Sequence, residues 1–184
     1  NLEGPVTGNP SVAVMNADPE GTKFLFTFPP NIAPHLARHN IRVVSLGNNH
    51  IFDFGYAGVE ETLENLARAN VRFMGPPRFP DGLFDAGEND HTMATTTVSG
   101  VPLAFVSYNE FDPEGAAASA ERAVRALSDA KATGAVPILF AHWGDEYAPV
   151  PERVKALARR FVDAGAMLVV GSHPHVVQEH EEYQ

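Results

Sequence analysis

Cysteine is absent from the 184 residues, which excludes a disulfide framework, a thiolate zinc site and a cysteine nucleophile. Cations are scarce: 13 Lys and Arg stand against 23 Asp and Glu, for a net charge of −10. Sequence-independent nucleic-acid binding needs clustered cations opposite phosphates, so no nucleic-acid partner is expected. Long apolar runs are also missing. The longest, around VPLAFV and VPILFA, fall far short of the roughly 20 residues of a bilayer span. The phosphate-binding patterns G-x-x-x-x-G-K-[ST] and G-x-G-x-x-G do not occur, nor does a G-x-S-x-G elbow. P-loop, dinucleotide and serine-hydrolase chemistry are therefore disfavoured, although Ser45, Ser107 and Ser172 fall near strand ends. The first residue is Asn1 and no charged-then-apolar leader follows, so any targeting segment is expected upstream or already removed.

What is present is 44% hydrophobic, at a length that fits one domain spanning 1–184 and able to bury a core. Ile41–Leu46 is a short apolar run that reads as a strand. Val59, Leu63, Leu66 and Ala67 mark the inner face of a helix from about Tyr56 to Ala69, and VRFMG from Val71 is the next strand. Such strand-helix-strand order favours parallel pairing. Residues 75–91 are rich in Pro, Gly and Asp and read as a surface excursion. MATTTV, Ser99-Gly100 and VPLAFVSY then predict an antiparallel hairpin. Ala123, Val124, Leu127 and Ala130 trace a helix, VPILFA from Val136 a buried strand, and Val154 to Val162 a helix begun by Pro151 and stopped by Gly165. MLVV at 167–170 is the last strand. KFLFTF before Pro29 predicts another, and PPNIAPHLARHN a short helix. The class is α/β.

Three apolar strands run into polar residues: Gly47-Asn48-Asn49-His50, His142-Trp143-Gly144 and Gly171-Ser172-His173-Pro174-His175. In open α/β sheets, ligands gather beyond the carboxyl ends of strands. Four of the eight histidines thus fall where a site would form. Taken singly, His142 reads as a hydrogen-bonded loop residue and Asn49 as a turn former. The H-x-H of His173 and His175 is equally compatible with a metal pair and with two loop imidazoles. Acidic partners stand nearby, namely Glu3, Asp53 three residues after His50, and Asp145 and Glu146 after His142; each alone is ordinarily a solvated charge. Trp143 and Tyr147 are core residues or a substrate platform. His35, His39, His91 and His180 read as solvated. With nitrogen and oxygen donors only, a metal here would be Mn, Fe or Zn. A His50–Asp53 pair would suit His50 to general-acid work.

NLEGP at 1–5, SLGNNHIFDFG at 45–55, AHWGDEY at 141–147 and GSHPHVVQ at 171–178 together resemble the bacterial capsule-synthesis CapA family, also called the poly-γ-glutamate biosynthesis family, within the calcineurin-like metallophosphatase superfamily. The four motifs keep that family's order and spacing over almost the whole chain. The resemblance implies an α/β sandwich of two mixed sheets flanked by helices, with a site for two divalent cations at one edge. It assigns metal ligation to Glu3, Asn49, His142, His173 and His175, with Glu3 in the place of a bridging aspartate, and the leaving-group acid to His50. Asp53 would work with His50. Asn48, Trp143, Asp145 and Glu146 would face substrate or support the ligands. It further implies that both ends are trimmed, because family members begin with a Gly-Asp motif and continue into a Gly-Asn strand. A site lacking that aspartate is expected to be metal-free or partly filled.

The implied function is a metal-dependent phosphoesterase-type hydrolase serving capsule or poly-γ-glutamate production. Its substrate would be anionic, a phosphate ester or the polymer. The alternative is a non-catalytic component that binds metal or polymer within a membrane-associated synthesis complex. The resemblance points to the cell envelope or its outer face. The −10 charge does not oppose an anionic substrate, since bound cations would make the crevice locally positive.

Overall fold

The computed structural model describes residues 1–13, 24–76 and 91–183. The expected excursion at 77–90 and the beginning of the KFLFTF run therefore lie outside the described residues. In chain order the elements are β1 (Val12–Ala13), β2 (Phe24–Leu25), α1 (Ile32–Arg38), β3 (Val43–Ser45), α2 (Gly55–Arg68), β4 (Arg72–Met74), β5 (Met93–Val98), β6 (Val101–Asn109), α3 (Ala116–Ala132), β7 (Val136–His142), α4 (Glu152–Asp163) and β8 (Leu168–Ser172). The α/β class read from the sequence is what forms, with two principal sheets flanked by helices.

The larger sheet has the order β5-β6-β7-β8. β5 and β6 form the expected hairpin. Ser99 and Gly100 both take left-handed backbone, φ 51° and 81°, the geometry whose twist suits a two-residue hairpin turn. β6, β7 and β8 run parallel. β3 and β4 make the second sheet, parallel as α2 between them requires. A third ladder, β1 with β2, is only two residue pairs long. It stops because acceptors other than a neighbouring strand take the next amides: Phe26 N–H donates to the Asp53 carboxylate (2.6 Å) and Thr27 N–H to the Ser11 hydroxyl (2.7 Å).

Each principal sheet has its own core. Leu127 and Ala123 of α3 and Phe161 and Val154 of α4 bury against Val106, Tyr108, Leu139 and Ala141 of β6 and β7. Val59, Leu63 and Leu66 of α2, the inner-face stripe, bury against Val44, Leu46 and the Leu2–Val6 segment. Among the described residues, no helix is long and apolar enough to cross a membrane.

The two sheets meet at the strand ends. A Cβ on Gly47 would lie 2.3 Å from Ser107 Oγ, and that hydroxyl is buried without a hydrogen-bond partner. Gly47→Ala is therefore expected to destabilise by about 1–3 kcal/mol through overpacking. Adding Ser107→Ala removes the colliding atom and an unsatisfied polar group, so the double variant should regain most of the loss. Thermal melts of the four proteins in the cycle check this, and strict additivity would contradict it.

Candidate metal centre

The parallel register aligns the chemistry. Asn109, His142 and Ser172 are successive partners across β6, β7 and β8, so the segments after these strands leave the sheet along one edge. The segment after β3 joins them through Asn48. This side chain is buried, donates to Leu2 O (2.9 Å) and accepts His50 N–H (3.1 Å), while the backbone carbonyl of Asn48 accepts from Asn109 Nδ2 (3.3 Å). Asn48 thus clamps residues 1–3 to the 47–50 turn.

At the centre is His142, only 1% exposed. Ser172 Oγ lies 3.1 Å from its Nδ1 and donates to Ala141 O at 3.0 Å. The one hydroxyl proton is spent on that carbonyl, so the hydroxyl accepts from Nδ1–H and the lone pair is left on Nε2. Nε2 lies 2.7 Å from Asn49 Oδ1 and 3.7 Å from Glu3 Oε1. Three acceptor atoms converge with no proton to share among them. Glu3 Oε1 is buried with no hydrogen-bond partner, and so is His173 Nδ1. Ligand atoms of Glu3, His142 and His173 lie within 4.8 Å of one another. Orphaned, converging nitrogen and oxygen acceptors are the donor set of a Mn, Fe or Zn site, so the residues present fit a divalent cation.

Electrostatics agree. Burial, reinforced by the imidazoles of His173, His50 and His175, drives His142 down to about 3, and burial also lowers His173, with Glu146 and Glu3 opposing. Both rings are held in the neutral, ligand-ready form. From the ordinary value of 6.5 downward, the unfolded chain protonates where folded His142 does not. The associated stability is full above that value and falls as pH drops toward 3. For the cation-free protein, acidification from pH 7 to 5 should lower unfolding stability with a slope from this group approaching about 1.4 kcal/mol per pH unit. Denaturant melts across that range should show a shallower slope for His142→Asn; equal slopes would contradict the assignment.

His50 stands beside this cluster. Its Nδ1 meets Asp53 Oδ2 at 2.8 Å, the same oxygen that accepts Phe26 N–H, and its ring packs on Phe26 at 4.2 Å between centroids. His175 Nε2 lies 3.9 Å from Glu3 Oε1, and Tyr147 stacks on the His175 ring at 5.9 Å. His173 and His175 both hold left-handed backbone, φ 97° and 53°, a strain that persists where the surroundings impose it. Asp145 is exposed and 3.7 Å from Arg153. Trp143 takes the core place that was one of its two readings. It is 5% exposed and packs on Phe161 and Tyr108, because alternation along the chain turns it away from the face that His142 occupies. His91 is likewise half-buried rather than solvated, with its ring 5.2 Å from Phe73.

Three residues at the end of β6 and just beyond it were not among the expected ones. Asn109 holds Asn48 and caps Phe111 N–H (3.1 Å). Phe111 walls the imidazoles, 4.6 Å from His173 and 5.9 Å from His142. Glu110 accepts Gly144 N–H at 2.6 Å and pairs with Arg153. The signal was the same as for the other sites: β6 too ends in a polar run, Asn-Glu.

The chain matches a family model described as bacterial capsule synthesis protein over residues 1–184. It is 30% identical over 155 residues to the PGA biosynthesis protein CapA of Bacillus subtilis, covering 78% of this chain and 39% of that protein. It is 31% identical over 160 residues to the capsule biosynthesis protein CapA of Bacillus anthracis, covering 77% and 36%. A probable polyglutamine synthesis accessory protein of Mycobacterium tuberculosis is 30% identical over 172 residues, covering 84% and 45%. The chain spans less than half the length of each of these relatives.

Proposed function

The chain belongs to the bacterial capsule synthesis family, and from that premise we propose that it is a metal-dependent phosphoesterase-type hydrolase acting in capsule or poly-γ-glutamate synthesis. One observation carries the reading: at a strand-end edge His142 Nε2 meets Asn49 Oδ1 and Glu3 Oε1, the latter buried without a hydrogen-bond partner.

When bound, divalent cations supply Lewis acidity toward a phosphoryl oxygen and acidify water for attack on phosphorus. Glu3, Asn49, His142, His173 and His175 would hold them. Ser172 keeps the His142 lone pair on Nε2, facing that set. Asp53 takes the Nδ1–H of His50, which leaves His50 Nε2 as the end that carries a proton to the departing oxygen. Phe111 shields the imidazoles on one side, lowering the local dielectric in which these charges act.

Cation binding is tested without substrate. Mn²⁺ at about 100-fold its dissociation constant should stabilise by about 2.7 kcal/mol, read as a rise in thermal midpoint. Glu3→Gln and His142→Ala should abolish the rise; a midpoint that ignores Mn²⁺ in the unsubstituted protein would contradict the reading.

A second reading is favoured by the relatives' own descriptions, which concern polymer biosynthesis: a non-catalytic component of a membrane-associated polymer-synthesis complex at the cell envelope, using the crevice to hold metal and polymer. Titration with oligo-γ-glutamate and with simple phosphate esters separates the two. Tight polymer binding without ester cleavage at any added metal selects the second.

A further inference from the structure

The donors named so far divide unequally between two cations. His142 Nε2 faces Asn49 and Glu3 on one side, while His175 Nε2 faces only Glu3 on the other. A neutral imidazole has one lone pair, so His173 serves one position and not both. If it joins His142, the second position has only His175 and a shared Glu3, fewer than the three protein ligands usual at a catalytic zinc.

A sixth donor is present. Ligand atoms of Glu146, His173 and His175 lie within 4.8 Å of one another. Two ligands about 2.1 Å from one ion sit at most about 4.2 Å apart, so a small rotation of the exposed Glu146 side chain closes the set. His173, 8% exposed with a buried Nδ1 that has no hydrogen-bond partner, lies by distance between this group and the Glu3–His142 group. The 144–147 segment is fixed against the His-Pro-His segment by Tyr147 N–H donating to Pro174 O at 2.8 Å. We propose that Glu146 is a cation ligand which, with His175 and the shared Glu3, completes a second divalent-cation position in this site. The proposal rests on the metal reading given above. It moves Glu146 from contact with substrate to the cation itself, and it makes the Gly144–Tyr147 turn part of the metal centre.

The test uses the full-length protein, stripped by chelation and titrated with Mn²⁺ alone, followed by calorimetry and electron paramagnetic resonance. The unsubstituted protein should take up two ions per chain and give the spectrum of a spin-coupled pair. Glu146→Gln, isosteric and exposed, should keep one site and lose affinity at the other by at least about 100-fold, the upper range for outer-shell changes alone, leaving the six-line signal of an isolated ion. Glu146→Asp should fall between them. Two coupled ions with unchanged affinity in Glu146→Gln would overturn this inference and leave the metal reading standing. No Mn²⁺ uptake by the unsubstituted protein would overturn both.

Discussion

Replacing His142 by alanine is expected to lower phosphodiester turnover of the full-length protein by about 10³-fold or more, since Lewis-acid stabilisation is worth several kcal/mol and each 1.36 kcal/mol is tenfold. The same change should release bound cation, because Nε2 is the nitrogen at which Asn49 Oδ1 and Glu3 Oε1 converge. Folding is a separate matter. His142 is a buried side chain at the end of β7, so truncation leaves a cavity and removes one of the two hydrogen-bond partners of Ser172 Oγ. His142→Asn, which retains a donor at that place, controls for this. Metal content, turnover and circular dichroism measured together discriminate: loss of turnover in a folded, metal-depleted protein is the expected pattern. Equal turnover in the His142→Ala variant would sink the catalytic assignment.

Replacing His50 by alanine should cost about 10²–10⁴-fold, the usual span for removing a general acid, but only on esters whose leaving group needs a proton. With an alkyl phosphodiester the full loss is expected. With a nitrophenyl ester, whose phenolate departs unaided, the loss should be far smaller. Asp53→Asn should cost less than His50→Ala on the alkyl ester, about 10–100-fold, as for partners that orient a reacting group through one hydrogen bond. The carboxylate also holds Phe26 N–H at 2.6 Å, so the ring beneath His50 shifts with it. Kinetics on the two ester classes check the point, and an equal loss on both would remove His50 from proton transfer.

The fold was legible wherever local pattern and tertiary environment agree. The α2 stripe at Val59, Leu63 and Leu66 reads at helical period and is the face that is buried. The Ser99-Gly100 turn carries its geometry in its composition. The β1–β2 ladder was not legible, since its early end depends on Asp53, 27 residues away from Phe26. The strand-end rule placed Asn49, His142, His173 and His175 in one crevice from sequence alone. Glu3 was one acidic partner among four, and only the family resemblance gave it a ligand's place, because a single acid near a chain start has no periodicity to mark it. Asn109, Glu110 and Phe111 were missed because β6 was read only as half of a hairpin. Its parallel pairing with β7, which brings its end to the site, is a long-range fact. Trp143 was read as core or substrate platform, and strand alternation decides for the core by putting it on the face away from His142.

Metal-dependent ester hydrolysis is the activity proposed for the Glu3–Asn49–His142 convergence. The most direct measurement is cleavage of a simple phosphodiester by the full-length protein, stripped of metal and then reconstituted in turn with Mn²⁺, Fe²⁺ and Zn²⁺. The stripped protein should cleave nothing, at least one of these ions should restore turnover, and His142→Ala should lose it. Absence of cleavage with every ion, in protein shown to have bound them, would contradict the proposed activity.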